Sequence, residues 1–441
     1  MKPDRKIFLP RSTGWLKITA FSLFLQISLG NFASAQIVEI PAQLKSLITE
    51  AQANNLDLKM WEAKVNAMEL RIPQEGAWSD PMAGLGIANL PVNTFDFNQE
   101  PMTAFWITAS QDIPITKKPA IKEKIARSSF ESESSRKFDK KLSISGMTAA
   151  TWFEWSYLKE MIVFFQESTD ILDDVLALAK TKLETGKGAL AEVLRIETEI
   201  SSLESKEISV TQSAKAKSRN LTQMLGRESG NIPEDPTELS PDFTNLDRNS
   251  LVEKLKKDNP NLVSLSKELE GAKLRVDLAK RMWYGDLKLT ASYGIRQDAD
   301  NGMSRPDFFT LTAGIPVPIF GAKKQSKAIE EARAKLNTSE FNLQSEELKQ
   351  TTQLNVLLDD DESLAEQIAL YRTDFIPQAE TTFSAVKASY SVGKAEMEML
   401  LSAEKMILKT KLEYLSLILN RLKTRTSIAV LTGGEDLLNE L

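Results

Sequence analysis

The feature that most constrains this chain is that it is written twice. Ala53-Asn54-Asn55-Leu56 returns as Asp258-Asn259-Pro260-Asn261-Leu262, and Trp78-Ser79-Asp80 returns as Trp283-Tyr284-Gly285-Asp286. Asp112-Ile113-Pro114-Ile115 returns as Gly314-Ile315-Pro316-Val317, and Thr185-Gly186-Lys187 as Val392-Gly393-Lys394. Met224-Leu225-Gly226 finds its echo in Val430-Leu431-Thr432-Gly433. Asn54 to Asn259 and Trp78 to Trp283 are both 205 residues apart, Pro114 to Pro316 is 202, and Gly186 to Gly393 is 207. Five ordered landmarks at a nearly constant offset imply a duplication. The interval is far longer than the roughly 20 to 50 residues of stacked solenoid repeats. Two similar halves are expected, residues 36–226 and 249–434, joined by a linker at 227–248 rich in Pro, Asp, Glu and Asn. Residues 435–441 form a short tail.

Each half carries the same plan. A first helix is expected at 55–75 and at 261–282. Two strand-like segments follow, at 83–90 with 102–112 and at 286–296 with 307–317, giving hairpins over 83–112 and 286–317. Leu287, Leu289, Ala291, Tyr293 and Ile295 alternate with Lys288, Thr290, Ser292 and Gly294. Phe105, Ile107 and Ala109 alternate with Trp106, Thr108 and Ser110. Period two with one apolar side is the mark of a strand with one face out of water. Strands of roughly 10 residues fit a tilted bilayer span. Trp78, Phe95, Phe97, Trp283, Tyr284, Phe308, Phe309 and Phe320 gather near the strand ends, as interfacial aromatic girdles do.

Long helices fill the rest, over 116–226 and 322–431. No proline occurs between Pro119 and Pro233, so residues 120–185 can form one helix of roughly 100 Å. Val193, Ile196, Ile200, Leu203, Val210, Ala214, Leu221 and Met224 recur at heptad spacing, interrupted by Glu207 and Lys217. Leu401, Leu408, Leu412, Leu415, Leu419 and Leu422 do the same in the second half. Such spacing supercoils helices against neighbours, and fits an ordinary helical bundle equally well.

Composition removes whole classes of function. The chain of 441 residues has no Cys and no His. Disulfides, thiolate nucleophiles and the usual zinc ligands are therefore absent. No nucleophile-elbow, phosphate-loop or zinc-protease pattern stands in a workable place. Neither an enzyme nor a resident cofactor or metal is expected. Residues 1–35 hold five basic residues and Asp4, an apolar run from Ile18 to Leu29, and Ala33-Ser34-Ala35 before Gln36. That pattern is a secretory signal, too short in its apolar run for a membrane anchor. Without those residues 50 basic side chains face 60 acidic ones, a balance that disfavours nucleic acid. No Cys follows the cleavage site for lipid attachment. An exported chain of this kind that crosses a membrane must do so as a β-barrel. Four strands cannot close a barrel, so several copies must pool theirs. Two copies give eight strands with a filled interior, whereas three give twelve and a lumen.

At this point the chain resembles the TolC outer-membrane efflux family. The residues that carry the likeness are Leu370-Tyr371-Arg372, Ile376-Pro377-Gln378-Ala379-Glu380, Ala388-Ser389-Tyr390-Ser391-Val392-Gly393-Lys394 and Leu400-Leu401-Ser402-Ala403-Glu404. Leu183-Glu184-Thr185-Gly186 with Glu192-Val193-Leu194 is their counterpart in the first half. The resemblance implies an α+β homotrimer with a twelve-stranded outer-membrane barrel and a twelve-helix periplasmic α-barrel of coiled-coil helices. It implies a passive exit duct for drugs or metal cations in a Gram-negative-type bacterium. A periplasmic adaptor (membrane fusion protein) and an inner-membrane pump of RND type are the implied partners. It places a gate and adaptor-docking tip at Gly186, Lys187, Gly188, Glu192, Tyr390, Gly393, Lys394, Glu396 and Glu398. Rings of Glu192, Glu396 and Glu398 near Lys187 and Lys394 would favour cations, although solvated charges at a helix end fit these residues as well. Family members often carry Asp or Arg at gate positions, where Ala395 and Met399 stand here. Ser110-Gln111-Asp112-Ile113-Pro114-Ile115 resembles the strand exit of the heavy-metal branch, with Lys117-Lys118 in place of its common Gly-Lys pair. Met82, Met102, Met397 and Met399 are candidate contacts for soft ions, though Met more often fills packing gaps. The competing reading is a periplasmic coiled-coil adaptor or structural protein, which has no use for membrane-length strand pairs.

Overall fold

The computed structural model describes residues 42–228, 233–236, 239, 243 and 245–434. The expected signal segment, the tail at 435–441 and part of the linker lie outside the described residues. The first half runs through α1 (Ala42–Asn54), α2 (Leu56–Gly76), β1 (Met82–Ala88), β2 (Ala104–Ile113), α3 (Lys118–Glu184) and α4 (Leu190–Met224). The second runs through α5 (Arg248–Asp258), α6 (Pro260–Arg281), β3 (Leu287–Ile295), β4 (Phe308–Gly314), α7 (Gln325–Leu370), a π turn (Tyr371–Phe375), α8 (Ile376–Ser391) and α9 (Met397–Leu431).

The expected proline-free helix is present as the 67 residues of α3. Its counterpart, made of α7, the π turn and α8, has segments of 46, 5 and 16 residues and matches it in length. The π turn lies just before Pro377, whose missing N–H and ring would break a regular turn. Gly146 lets α9 lie close against α3, because a Cβ there would fall 2.5 Å from Cγ2 of Val430.

Two end-to-end joints organise the helices. Asn55 accepts the Asp57 N–H at 2.9 Å to cap α2, while its Nδ2 donates to the Met224 carbonyl of α4 at 3.1 Å. Asn259 caps α6 through the Leu262 N–H at 2.9 Å and donates to the Leu431 carbonyl of α9 at 2.7 Å. One amide thus satisfies orphan groups of two helices at once. Gly226 and Gly433, with φ of +67° and +72°, end the lower helices there. The joints correct the sequence pairing of Asn54 with Asn259: Asn55 is the residue that does what Asn259 does. The helices near the sheet lie in the order α2, α3, α6, α7, and those farther away in the order α4, α3, α9, α8.

Helices α1 and α5 are additions to the expected plan. Leu44, Leu47 and Ile48 of α1 pack against α3 and share one buried core with Leu142, Trp152 and Phe153 of α3 and Leu415 and Leu422 of α9. Leu251 and Leu255 of α5 pack on Leu354 and Leu358 of α7. The heptad residues Val193, Ile196, Leu203, Leu401 and Leu408 are buried as their spacing requires. The interruptions are bonded across helices: Lys217 pairs with Glu154, and Glu207 accepts from Gln166 Nε2 at 2.7 Å.

The four strands form one antiparallel sheet in chain order. Leu85, Ile107, Tyr293 and Phe309 are register partners in one row and are 74, 46, 45 and 69 % exposed. The neighbouring row, on the opposite face, is Gly84, Thr108, Ser292 and Thr310. One face is therefore apolar and uncovered, the other small and polar. Phe309 belongs to the apolar face. Phe308 corrects the expected girdle: strand alternation puts it on the polar face, stacked beside Trp106.

Candidate functional site

The two long-helix reversals bring the sequence-selected residues to one end of the helical region. After α3, Gly186 at φ +73° turns the chain, with the Lys187 N–H on the Lys182 carbonyl at 2.8 Å and the Gly186 N–H on that of Leu183 at 3.0 Å. After α8, Gly393 at φ +76° repeats this, with Lys394 N–H to Ser389 at 2.9 Å and Gly393 N–H to Tyr390 at 3.0 Å. These are helix ends closed by a left-handed residue, a conformation that favours glycine. Gly188 is needed for space, since a Cβ there would come 3.0 Å from the Leu183 nitrogen.

Tyr390 is the centre of the cluster. It is 2 % exposed and lies in the lower core with Val193, Ile196, Leu400 and Leu401. Its hydroxyl donates to Glu192 Oε2 at 3.4 Å, across from the last turns of α8 to the first turn of α4. Burial and the Glu192 carboxylate push the phenol up to about 12, so it stays a donor. Lys182 of α3 donates from Nζ to the Tyr390 carbonyl at 2.5 Å and stands 3.5 Å from the centre of the Tyr390 ring. Three helices from both hairpins therefore meet at one side chain.

Glu398 pairs with Arg195, joining α9 to α4. Farther in, Lys405 pairs with Glu199 at 2.7 Å, and Lys387 approaches Asp174 at 3.8 Å. Buried Glu404 accepts from the Ser168 hydroxyl, and burial holds its carboxyl above the usual range. Lys187, Lys394 and Glu396 are exposed and make no ion pair among the described residues. The two lysines expected beside the carboxylates do not pair with them; Lys182 and Arg195 make the bonds instead. Both were passed over in the sequence. Their signals were position: Lys182 stands one turn before Gly186, and Arg195 follows Glu192 by three residues on the same helix face. Met82, Met102, Met397 and Met399 are not brought together. Met82 begins β1, Met102 lies in the β1–β2 loop, Met397 is buried in the lower core, and Met399 is exposed.

The family model described as outer membrane efflux protein matches residues 47–227 and 251–434. This chain belongs to the outer membrane efflux protein family. The TolC-type likeness of the Tyr390–Gly393 and Leu400–Glu404 stretches is thus a family relationship. Among solved structures, this family member is similar to CusC at 18 % identity and a TM-score of 0.77, over 92 % of this chain and 96 % of that one. It is similar to VceC of Vibrio cholerae at 16 % identity and a TM-score of 0.74, over 89 % and 96 %. It is also similar to the CmeC outer membrane channel of Campylobacter jejuni at 14 % identity and a TM-score of 0.73, over 89 % and 86 %. At these identities the likeness is one of fold. No curated protein matches the chain at a significant level.

Proposed function

We propose that three copies of this chain assemble into a passive efflux duct through the outer membrane, with a twelve-stranded barrel above and a twelve-helix tube below. The observation that carries the reading is the sheet. It presents an uncovered apolar face, a polar face, and two edge strands, β1 and β4, with no partner among the described residues. Lipid tolerates neither open edges nor unsatisfied backbone, so the edges must pair with other copies. No helix among the described residues is long and apolar enough to cross a membrane. Eight pooled strands would be filled by side chains, while twelve leave a lumen.

The helices support the same assembly. Leu56, Met60 and Leu70 on α2 and Phe341, Leu348 and Val356 on α7 are large, apolar and more than half exposed. They lie on the two outermost helices, where the end of one copy would meet the start of the next in a closed ring. The chain written twice is a duplication in this reading, with residues 36–226 and 249–434 as its halves. An export signal at 1–35 delivers it to the outer membrane, and a periplasmic adaptor and an inner-membrane pump of RND type supply the energy the duct lacks.

The tip around Gly186, Lys187, Gly188, Glu192, Tyr390, Gly393, Lys394, Glu396 and Glu398 is the gate and the adaptor-docking end. The Lys182–Tyr390–Glu192 cluster and the Arg195–Glu398 pair hold the two hairpins of each copy together, and exposed Lys187, Lys394 and Glu396 are free to meet an adaptor. The cargo class is drugs or metal cations; the Gln111-Asp112-Ile113-Pro114 strand exit favours the second. Fractionation and planar-bilayer recording test the reading. The protein is expected in the outer membrane and, once purified, to carry ion current. A soluble periplasmic monomer that carries none overturns it and restores the adaptor reading.

A further inference from the structure

One row of the sheet breaks the character of the polar face. Gly86, Trp106, Gly294 and Phe308 are register partners across all four strands. The next row on that face is Gly84, Thr108, Ser292 and Thr310, so two aromatic rings stand beside hydroxyls and glycines. Gly294 makes room for the larger one. A Cβ there would lie 2.9 Å from Cη2 and Cζ2 of Trp106, so the indole lies across β3 and reaches Phe308. The two rings are 6.4 Å apart with planes 15° from parallel, a widely offset stack on the sheet. Arg296 covers Phe308, with its guanidinium carbon 3.9 Å from the ring centre, and is held by the Pro306 and Pro101 carbonyls at 2.7 and 3.0 Å. No second ring or cation stacks on Trp106 among the described residues. At Gly86, on its other side, an added Cβ would meet nothing within 4 Å. The row sits near the sheet end farthest from the helices, one residue from the end of β3 and at the start of β4.

We propose that Trp106, seated on Gly294 and braced by Phe308 and Arg296, is a stacking platform for flat aromatic solutes at the outer mouth of the pore. The platform rests on the channel reading above, in which the polar face lines the lumen. Three chains then place three such platforms at one level. A half-buried indole with one face against backbone is held rigid, and the part of its π-surface left exposed is available to a planar ring. Asp307 accepts the Arg296 backbone N–H at 2.9 Å, which puts a carboxylate on the same residue as the guanidinium. Selection is therefore for the ring rather than for charge.

The test compares two anions of equal charge, naphthalene-2-sulfonate and cyclohexanesulfonate, binding to the full protein in lipid nanodiscs by saturation-transfer NMR. The aromatic anion is expected to bind about five-fold tighter. Trp106→Leu should bring the ratio close to one, and Trp106→Phe should keep part of it. Equal binding of the two anions by the unaltered protein, or an unchanged ratio in Trp106→Leu, overturns the platform. Counting chains per particle separates this from the channel reading: one chain instead of three removes the pore itself, whatever the binding ratio.

Discussion

Lys182 holds the far side of the tip by two forces at once, a charged hydrogen bond to the Tyr390 carbonyl and contact with the Tyr390 ring. Together these outweigh the 3.4 Å bond from the Tyr390 hydroxyl to Glu192. On the gate proposed above, Lys182→Ala is therefore expected to shift the closed–open balance by about ten-fold or more. Tyr390→Phe should shift it by less than about three-fold. Open probability in planar bilayers ranks the two, and the reverse order would contradict the assignment. Glu404 gives a pH prediction. Burial raises its carboxyl above the ordinary value of 4.5, so in the window between the unfolded and the folded value the folded protein keeps a proton that the unfolded chain has released. Its contribution is then unfavourable above that window and disappears as pH falls through it. Glu404→Gln, which can still accept from Ser168, should raise the unfolding temperature at pH 7.5 and lose that advantage near pH 4. Equal unfolding temperatures at pH 7.5 would count against the raised carboxyl. The tip turns were legible in the sequence because Gly186 and Gly393 carry a local backbone requirement. Lys182–Tyr390 and the buried Asp361 with Arg421 and Arg425 were not, since their partners lie far apart along the chain.

Helices and strands were legible where periodicity is local. The alternation around Ile107 and Tyr293 names the two faces of the sheet, and the absence of proline between Pro119 and Pro233 gives α3 its length. The joints were not legible, because Asn55 and Asn259 reach carbonyls 169 and 172 residues away. Helices α1 and α5 escaped notice because each is short and makes its core only against other helices. The joints carry a stability prediction. Asn259 is 3 % exposed, so Asn259→Ala removes a helix cap, about 1 kcal/mol, and leaves the Leu431 carbonyl unpaired, about 1–3 kcal/mol more. Asn55→Ala, at a less buried joint, should cost less. Thermal unfolding of the two variants checks the order, and an equal or smaller loss for Asn259→Ala would show that the buried joint is not what joins α6 to α9.

At the scale of the whole molecule, the uncovered apolar surface is what the proposed assembly would cover. Among the described residues β1 and β4 have no partners and Leu348 and Phe341 are bare on α7, which no single copy in water could sustain without cost. The double substitution Phe341→Lys with Leu348→Lys should therefore weaken assembly while leaving the fold of each copy intact, since both side chains are exposed in the lone chain. Native mass spectrometry against circular dichroism separates the two effects, and an undiminished assembly would exclude α7 from the contact. Copy number has no motif of its own in the sequence; three is the number that a lumen requires of four-stranded chains in the proposed duct. The most direct test of the shared pore wall is the mass of the unaltered protein extracted from outer membranes in mild detergent: three chains per particle is the expected result, and a particle of one chain would contradict it.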